Sequence, residues 1–152
     1  MSTFSSEHPG LDGFFFEDLK LGMQATVSRT ITDTDLRNFS GVSGDTNPMH
    51  LNEEYAKQTM FGGTIVHGLL SASLISAVIG TKLPGPGVIY LSQTLKFLAP
   101  VRVGDTVYAT ATIKQLIPEK KRCILETVCM VHGKPVIEGE AVVKVPGKPQ
   151  AH

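Results

Sequence analysis

The feature that most constrains the fold is one apolar segment, residues 68–83, with four alternating segments behind it. Within 68–83 leucine, isoleucine and valine point to every side of a helix, and small serine and alanine residues lie between them. A helix that is apolar on all sides is typical of a buried element. A Pro-Gly-Pro-Gly sequence at 84–87 ends it. Such a helix requires other elements to cover it.

Strands supply that cover. Apolar and polar residues alternate along four stretches after the helix: 88–99, 106–114, 122–131 and 136–145. This period of two is the pattern of a half-buried strand. A further strand is predicted at 22–31, and short helices at 32–40 and 52–58, each with a capping sequence at its start. We therefore predict an α+β domain, with an antiparallel sheet wrapped around one buried central helix.

The composition excludes several classes of protein. The 152 residues fit one domain, which we place at 19–146 between tails at 1–18 and 147–152. Fourteen basic and fourteen acidic residues give zero net charge, which argues against a nucleic-acid partner. The longest apolar stretch is about half the ~20 residues that a membrane span needs. Cys123 and Cys129 share one strand face and are expected to be buried free thiols, which favours a cytoplasmic location.

An acid and an imidazole lie five residues apart. Asp45 and His50 flank the Asn47-Pro48 turn, which can fold both side chains toward one water molecule. Such a pair supplies both proton transfers needed to add water across a polarised double bond. Taken singly, Asp45 could be a turn residue that bonds local backbone, and His50 an exposed histidine before a helix. Asn47 could orient the pair or form an Asx turn.

A second candidate feature is His67-Gly68 at the start of the apolar helix. Unpaired N–H groups at a helix N-terminus favour negative charge, and glycine lets a ligand approach the backbone. Gly68 N–H could stabilise the enolate oxygen of a thioester, or Gly68 could serve packing alone; His67 is interpreted as structural. Candidate residues for an acyl pocket are Phe61, Ser73, Ser76 and Ile79, and Ser76 and Ile79 are expected one turn apart on the same face of the helix. The two serines could equally be small residues that let the sheet approach the helix.

No sequence motif for a metal or a cofactor is present. The histidine spacings include neither HxH nor HExxH, and GxGxxG, Walker and GxSxG motifs are missing. We expect neither a metal site nor a cofactor.

The motifs themselves resemble a known family. Ser-Gly-Asp-Thr-Asn-Pro-Met-His at 43–50 and Ile-Val-His-Gly-Leu-Leu-Ser-Ala-Ser at 65–73 resemble the hydratase 2 signature of MaoC-like dehydratases. The similarity covers about 19–146, as in a single-domain R-specific enoyl-CoA hydratase. It implies a hot-dog fold, a homodimer, and action on trans-2-enoyl-CoA without a cofactor. By matched position it implies Asp45 and His50 as the catalytic pair, Asn47 in support, Gly68 as oxyanion donor and Ser76 near the acyl pocket.

The resemblance therefore predicts hydration of trans-2-enoyl-CoA to (3R)-3-hydroxyacyl-CoA. Three alternatives stay open at this point. The same chemistry could run as dehydration of an acyl-carrier-protein thioester, the same fold also hosts thioesterases, and a non-catalytic acyl-CoA binding module is possible. The intact Asp45, Asn47 and His50 set favours catalysis. Acyl length and the choice of carrier are left open.

Overall fold

The structure is a computed structural model that describes residues 11–149. The tails predicted from the sequence lie partly outside these residues, at 1–10 and 150–152. Within the described part, no helix combines the length and the apolar character needed to cross a membrane.

Six antiparallel strands form one sheet. They are β1 (Gln24–Thr30), β2 (Ile89–Gln93), β3 (Lys96–Phe97), β4 (Thr106–Ile117), β5 (Arg122–Val131) and β6 (Lys134–Lys144). Their order is β1-β4-β5-β6-β2, and β3 also pairs with β6. The alternation on β4 matches the prediction, because its inward positions are buried: Val107, Ala109, Ala111 and Ile113.

The single strand predicted at 88–99 is wrong in one respect, because it is divided into β2 and β3. Thr94 lies between them, with its N–H bonded to Glu140 O at 2.9 Å. Its carbonyl approaches β6 so closely that a Cβ on Gly139 would lie 1.8 Å from Thr94 O. The missing side chain of Gly139 therefore makes room for this irregular crossing.

Within residues 11–149, four α-helices accompany the sheet: α1 (Asp33–Ser43), α2 (Pro48–Leu51), α3 (Glu53–Lys57) and α4 (Gly68–Thr81). The start of α1 is a capping box. Thr32 Oγ1 accepts from Asp35 N at 3.2 Å, and Asp35 Oδ2 accepts from Thr32 N at 2.9 Å. Asp35 also pairs with Arg29 of β1 at 2.6 Å. The helix ends where Gly44 takes the left-handed conformation, with φ of 79°.

The central helix α4 packs against β4, β1 and β5. Its buried residues are Ser71, Leu74, Ile75, Val78 and Ile79. The opposite face is exposed in the single chain, since Leu69 retains 59% of its surface and Ser73 and Ser76 are also exposed. The prediction of burial on every side is therefore wrong for this chain alone, because one sheet covers only one side of a helix.

The two cysteines lie on β5 and are buried and free. Burial raises the pKa of Cys123 and of Cys129 to about 12. A thiol with such a pKa stays protonated and unreactive at neutral pH. Both residues therefore serve packing, as their spacing indicates.

Segments near both ends pack onto the sheet and helix. Phe14 N bonds Pro84 O and Phe16 N bonds Pro146 O, each at 2.8 Å. Glu17 accepts from Lys121 Nζ at 2.9 Å and from Lys148 N at 2.7 Å. The predicted tails at 1–18 and 147–152 thus include residues that belong to the folded body.

Candidate active site

The loop after α1 orients Asp45. Its N–H donates to Ser43 Oγ at 3.1 Å, and its Oδ1 accepts from Asn47 N at 3.2 Å. One carboxylate oxygen thus makes the local backbone bond that a turn residue would make. The other oxygen has no protein donor among residues 11–149. It remains available to a ligand or to water.

Asn47 begins helix α2. Its Oδ1 accepts from Met49 N at 3.1 Å, and Pro48 occupies the first helical position. This is a helix cap with an Asx-type bond. Two roles were considered for Asn47, an Asx turn and orientation of the Asp45–His50 pair. Its contacts are those of the Asx turn, which fixes the start of α2 and so supports the pair only indirectly.

Helix α2 carries His50 inward, so the histidine is only 9% exposed. Its Nδ1 lies 2.8 Å from Ile65 O. Because a carbonyl only accepts, Nδ1 must carry the proton, and Nε2 is left with a free lone pair in the neutral ring. The alternative of an exposed histidine is therefore wrong.

His67 lies directly against the pair. Its ring stacks on His50 with 3.9 Å between the ring centroids, and its Nε2 lies 3.0 Å from Asp45 O. Burial lowers the pKa of His67, so the ring is neutral near pH 7. One carboxylate oxygen of Asp45 and one nitrogen from each histidine all lie within 4.8 Å of one another.

A carboxylate and two imidazoles are groups that can bind a metal ion, but the hydrogen bonds of these three side chains do not favour a metal site. His67 Nε2 donates to Asp45 O, and a nitrogen that carries a proton has no lone pair for a cation. His67 Nδ1 is the ring's other nitrogen and is buried. A cation held by this group would then have to take its third ligand from His67 Nδ1, since catalytic zinc sites use three protein ligands.

A cavity of about 570 Å³ opens beside Asp45 and His50. Most of its wall is apolar, including Met60, Leu98 and Val101. Volumes of ~300–1,000 Å³ are usual for small-molecule sites, and an apolar wall with a few polar groups is their usual composition. The cavity can hold an apolar chain next to the acid and the imidazole.

Gly68 lines this cavity, at the N-terminus of α4. Within residues 11–149 neither Gly68 N–H nor Leu69 N–H makes a hydrogen bond, so both can donate to a ligand. A Cβ on Gly68 would lie 2.7 Å from the ring of Phe97. Packing against Phe97 therefore favours glycine here.

The predicted pocket residues divide into two groups. Phe61 lines the cavity, whereas Ser73, Ser76 and Ile79 do not. The expectation that Ser76 and Ile79 share one face is wrong, since Ser76 is exposed and Ile79 is fully buried in the core. A three-residue step on a helix leaves the two side chains ~60° apart, enough to separate them at the edge of the buried face.

Ser71 is a cavity residue that the sequence analysis missed. It is 1% exposed, and its Oγ has no partner among the described residues. It lies three and four positions after Gly68 and His67, which is the spacing that places residues on one helix face. This spacing is the sequence feature from which Ser71 could have been predicted to lie near the site.

Comparison with known proteins agrees with this architecture. The family model described as MaoC like domain matches residues 18–139. A protein of Rhodospirillum rubrum named (R)-specific enoyl-CoA hydratase is 57% identical, over 88% of this chain and 93% of its own. A protein of Methylorubrum extorquens named 3-hydroxybutyryl-CoA dehydratase is 48% identical, over 94% of this chain and 91% of its own.

Solved structures give the same result. An unliganded R-hydratase from Pseudomonas aeruginosa superposes with a TM-score of 0.84 at 39% identity, covering 92% of this chain and 93% of that one. An (R)-hydratase from A. caviae gives a TM-score of 0.83 at 40% identity, covering 86% and 99%. The predicted hot-dog fold is confirmed. The chain belongs to the MaoC-like dehydratase family of enzymes.

Proposed function

We propose that this enzyme hydrates trans-2-enoyl-CoA to (3R)-3-hydroxyacyl-CoA, reversibly. The observation that carries the proposal is the convergence of two proton acceptors on one apolar cavity. Asp45 offers a carboxylate oxygen and His50 offers Nε2, because its Nδ1 proton is bonded to Ile65 O. The relatives named above as a hydratase and a dehydratase support the same reaction.

The two acceptors can hold one water molecule through both of its hydrogens. The water oxygen then presents a lone pair to the substrate. This arrangement fixes the nucleophile before the reaction, which lowers the entropic part of the barrier. Because both residues would contact the same water molecule, the acid and base roles are assigned to the pair and not divided between its two members.

In the addition, the water oxygen bonds to C3 while one water proton moves to the Asp45–His50 pair. The C2=C3 π electrons shift toward the thioester, whose oxygen becomes negative. Gly68 N–H at the N-terminus of α4 supports this enolate, since backbone donors there are unpaired. A proton from the pair then reaches C2. No electrons leave the substrate, so the reaction needs no redox cofactor.

We also propose a homodimer and a cytoplasmic location. Five large apolar side chains on α4, β2, β3 and the residue after β3 are 43–59% exposed: Leu69, Ile89, Leu91, Phe97 and Leu98. A second copy would cover them and would pair β2, which is an edge strand. The buried free thiols support a reducing compartment. Cell fractionation checks the location.

The test uses purified protein with crotonyl-CoA and with longer enoyl-CoA substrates. Loss of the enoyl-thioester absorbance is expected, and the product should be oxidised by a dehydrogenase of known 3R specificity. Oxidation by a 3S-specific dehydrogenase alone would contradict the stereochemistry. Release of free CoA without a hydroxyacyl product would indicate a thioesterase. Binding without turnover would indicate a non-catalytic module. Turnover only with acyl-carrier-protein thioesters would show that the carrier is acyl carrier protein and not CoA.

A further inference from the structure

We propose that His67 is a positioning residue that fixes the position of Asp45 relative to His50. It does so as the neutral Nε2–H tautomer. The proposal rests on the proposed function, in which those two residues share one water molecule. His67 does not need to touch the substrate for this role.

The hydrogen bond to Asp45 fixes the tautomer. His67 Nε2 lies 3.0 Å from Asp45 O and 3.1 Å from Ser40 Oγ. The carbonyl can only accept, so Nε2 carries the proton and shares it between the two oxygens. His67 Nδ1 is buried and has no hydrogen-bond partner within residues 11–149. An unpaired lone pair is the less costly state at that nitrogen, because buried N–H groups are almost always paired.

The stacking contact fixes His50. The two rings lie 3.9 Å apart between centroids and are inclined by 25°. His50 is thus held in its plane by His67 and at its edge by Ile65 O, 2.8 Å from Nδ1. One buried ring therefore contacts the backbone of one catalytic candidate and the face of the other.

The charge state follows from the same contacts. His67 is 1% exposed, and its burial lowers its pKa. The titratable groups that face it are His50 and Asp45, from the segments on either side of Asn47. A proton on Nδ1 would have no acceptor and would place a positive charge against the His50 ring. A neutral His67 also places no fixed cation beside the Asp45 carboxylate.

The functional consequence is geometric. A misplacement of ~1 Å by a change outside the reacting groups can lower a rate ~10²-fold. Loss of the His67 donor frees the Asp45 backbone, and loss of the ring frees His50. Both changes spoil the placement of the water while leaving the apolar cavity, and so substrate binding, in place.

The first experiment compares two variants in crotonyl-CoA hydration. His67→Phe keeps a ring but removes the donor, and we expect kcat to fall on the order of 10²-fold with KM within about threefold. His67→Gln restores an N–H donor at about the position of Nε2, so its kcat should be about tenfold higher than that of His67→Phe. Thermal unfolding of each variant verifies folding. The matched control is His132→Gln, on the exposed turn between β5 and β6, which should keep wild-type activity.

Three outcomes would overturn the proposal. They are a folded His67→Phe with kcat within about twofold of wild type, a loss confined to KM, and a His67→Gln no more active than His67→Phe. The wild-type assay is a separate result: an inactive wild type refutes the proposed reaction and not the positioning geometry.

A second measurement needs no substrate. ¹⁵N-labelled histidine resonances distinguish the two neutral tautomers and the charged ring, and His67→Gln assigns the His67 signal. We expect the Nε2–H tautomer at pH 7, persisting below the pH at which exposed histidines become charged. An Nδ1–H tautomer, or a His67 that is charged at pH 7, would refute the proposal.

Discussion

At the level of single residues, Asp45 and His50 reach the cavity by different means. Asp45 is placed by backbone bonds within its own loop, whereas His50 is carried in on a helix of four residues and fixed by a distant carbonyl, Ile65 O. The pair therefore depends on two adjoining local structures that meet at Asn47.

Near-isosteric substitutions test the pair directly. Asp45→Asn and His50→Gln keep the approximate shape of each side chain but remove its proton transfer. Each should lower kcat on the order of 10²–10⁴-fold, and the double variant should lose less than the product of the two, since the residues act on one water. The measurement is steady-state hydration with circular dichroism as the folding control. Near-wild-type turnover in either folded variant would exclude that residue from the pair.

How far these site residues could be predicted depends on their neighbours in the chain. Asp45, His50 and Gly68 stand out because residue type and spacing carry the chemistry. The contacts of His67 could not be predicted, since they join residues 22 and 27 positions apart in sequence. Ser76 and Ile79 were assigned to one face because a sequence does not show where the sheet ends against a helix.

At the level of elements, helix α1 links the sheet to the site. Its N-terminus is held by the Thr32–Asp35 capping box and by Arg29 of β1, and its C-terminal half carries Ser40, which contacts His67. The hydrogen bond from Arg29 is the main reason that the pKa of Asp35 is lowered to about 2. The charged form of Asp35 therefore contributes to the stability of the fold.

This contribution should depend on pH in a defined direction. Because the folded pKa of about 2 is below the ordinary 3.8, the stabilisation is complete above pH 3.8 and is lost as the pH falls toward 2. Asp35→Asn keeps an oxygen that can accept from Thr32 N but loses the charge. Near pH 7 the free energy of unfolding of the wild type should therefore exceed that of the variant by about 1–2 kcal/mol, after allowance for solvent screening at the exposed Arg29. Urea unfolding at several pH values measures this. A difference that stays constant down to pH 2 would contradict it.

Most elements were predictable because their signals are local. Capping residues and periodicity place α1, α4, β4 and β5 within a few residues. The break between β2 and β3 was not predictable, because it depends on the close approach of Thr94 to Gly139, which is 45 positions away in the sequence. The open face of α4 was likewise hidden, since composition shows that a helix is apolar but not which element covers it.

At the level of the whole molecule, five exposed apolar side chains form the surface that a second copy would cover: Leu69, Ile89, Leu91, Phe97 and Leu98. They adjoin the cavity, since Leu69, Phe97 and Leu98 also line it. A second copy seated there would limit access of water to the site as well as covering the apolar surface.

Light scattering tests the dimer. The expected mass at micromolar concentration is twice the 16.3 kDa of the chain. Leu91→Glu on the edge strand should shift the mass toward the monomer, because it buries a charge between two apolar surfaces. Val42→Glu, at a 90% exposed position on α1, is the matched control and should leave the mass unchanged. A wild-type mass near 16 kDa would refute the dimer.

The contacts near the two chain ends have a practical consequence. Phe16 N bonds Pro146 O, and Lys148 pairs with Asp18 at 2.9 Å, so residues 16–18 and 146–148 meet on one small patch. A short peptide linker could therefore join these two segments, and new termini could be opened at an exposed turn such as 132–133. Circular permutants of this kind should keep the fold, because the segments that meet at the patch would be held together covalently as well as by their hydrogen bonds.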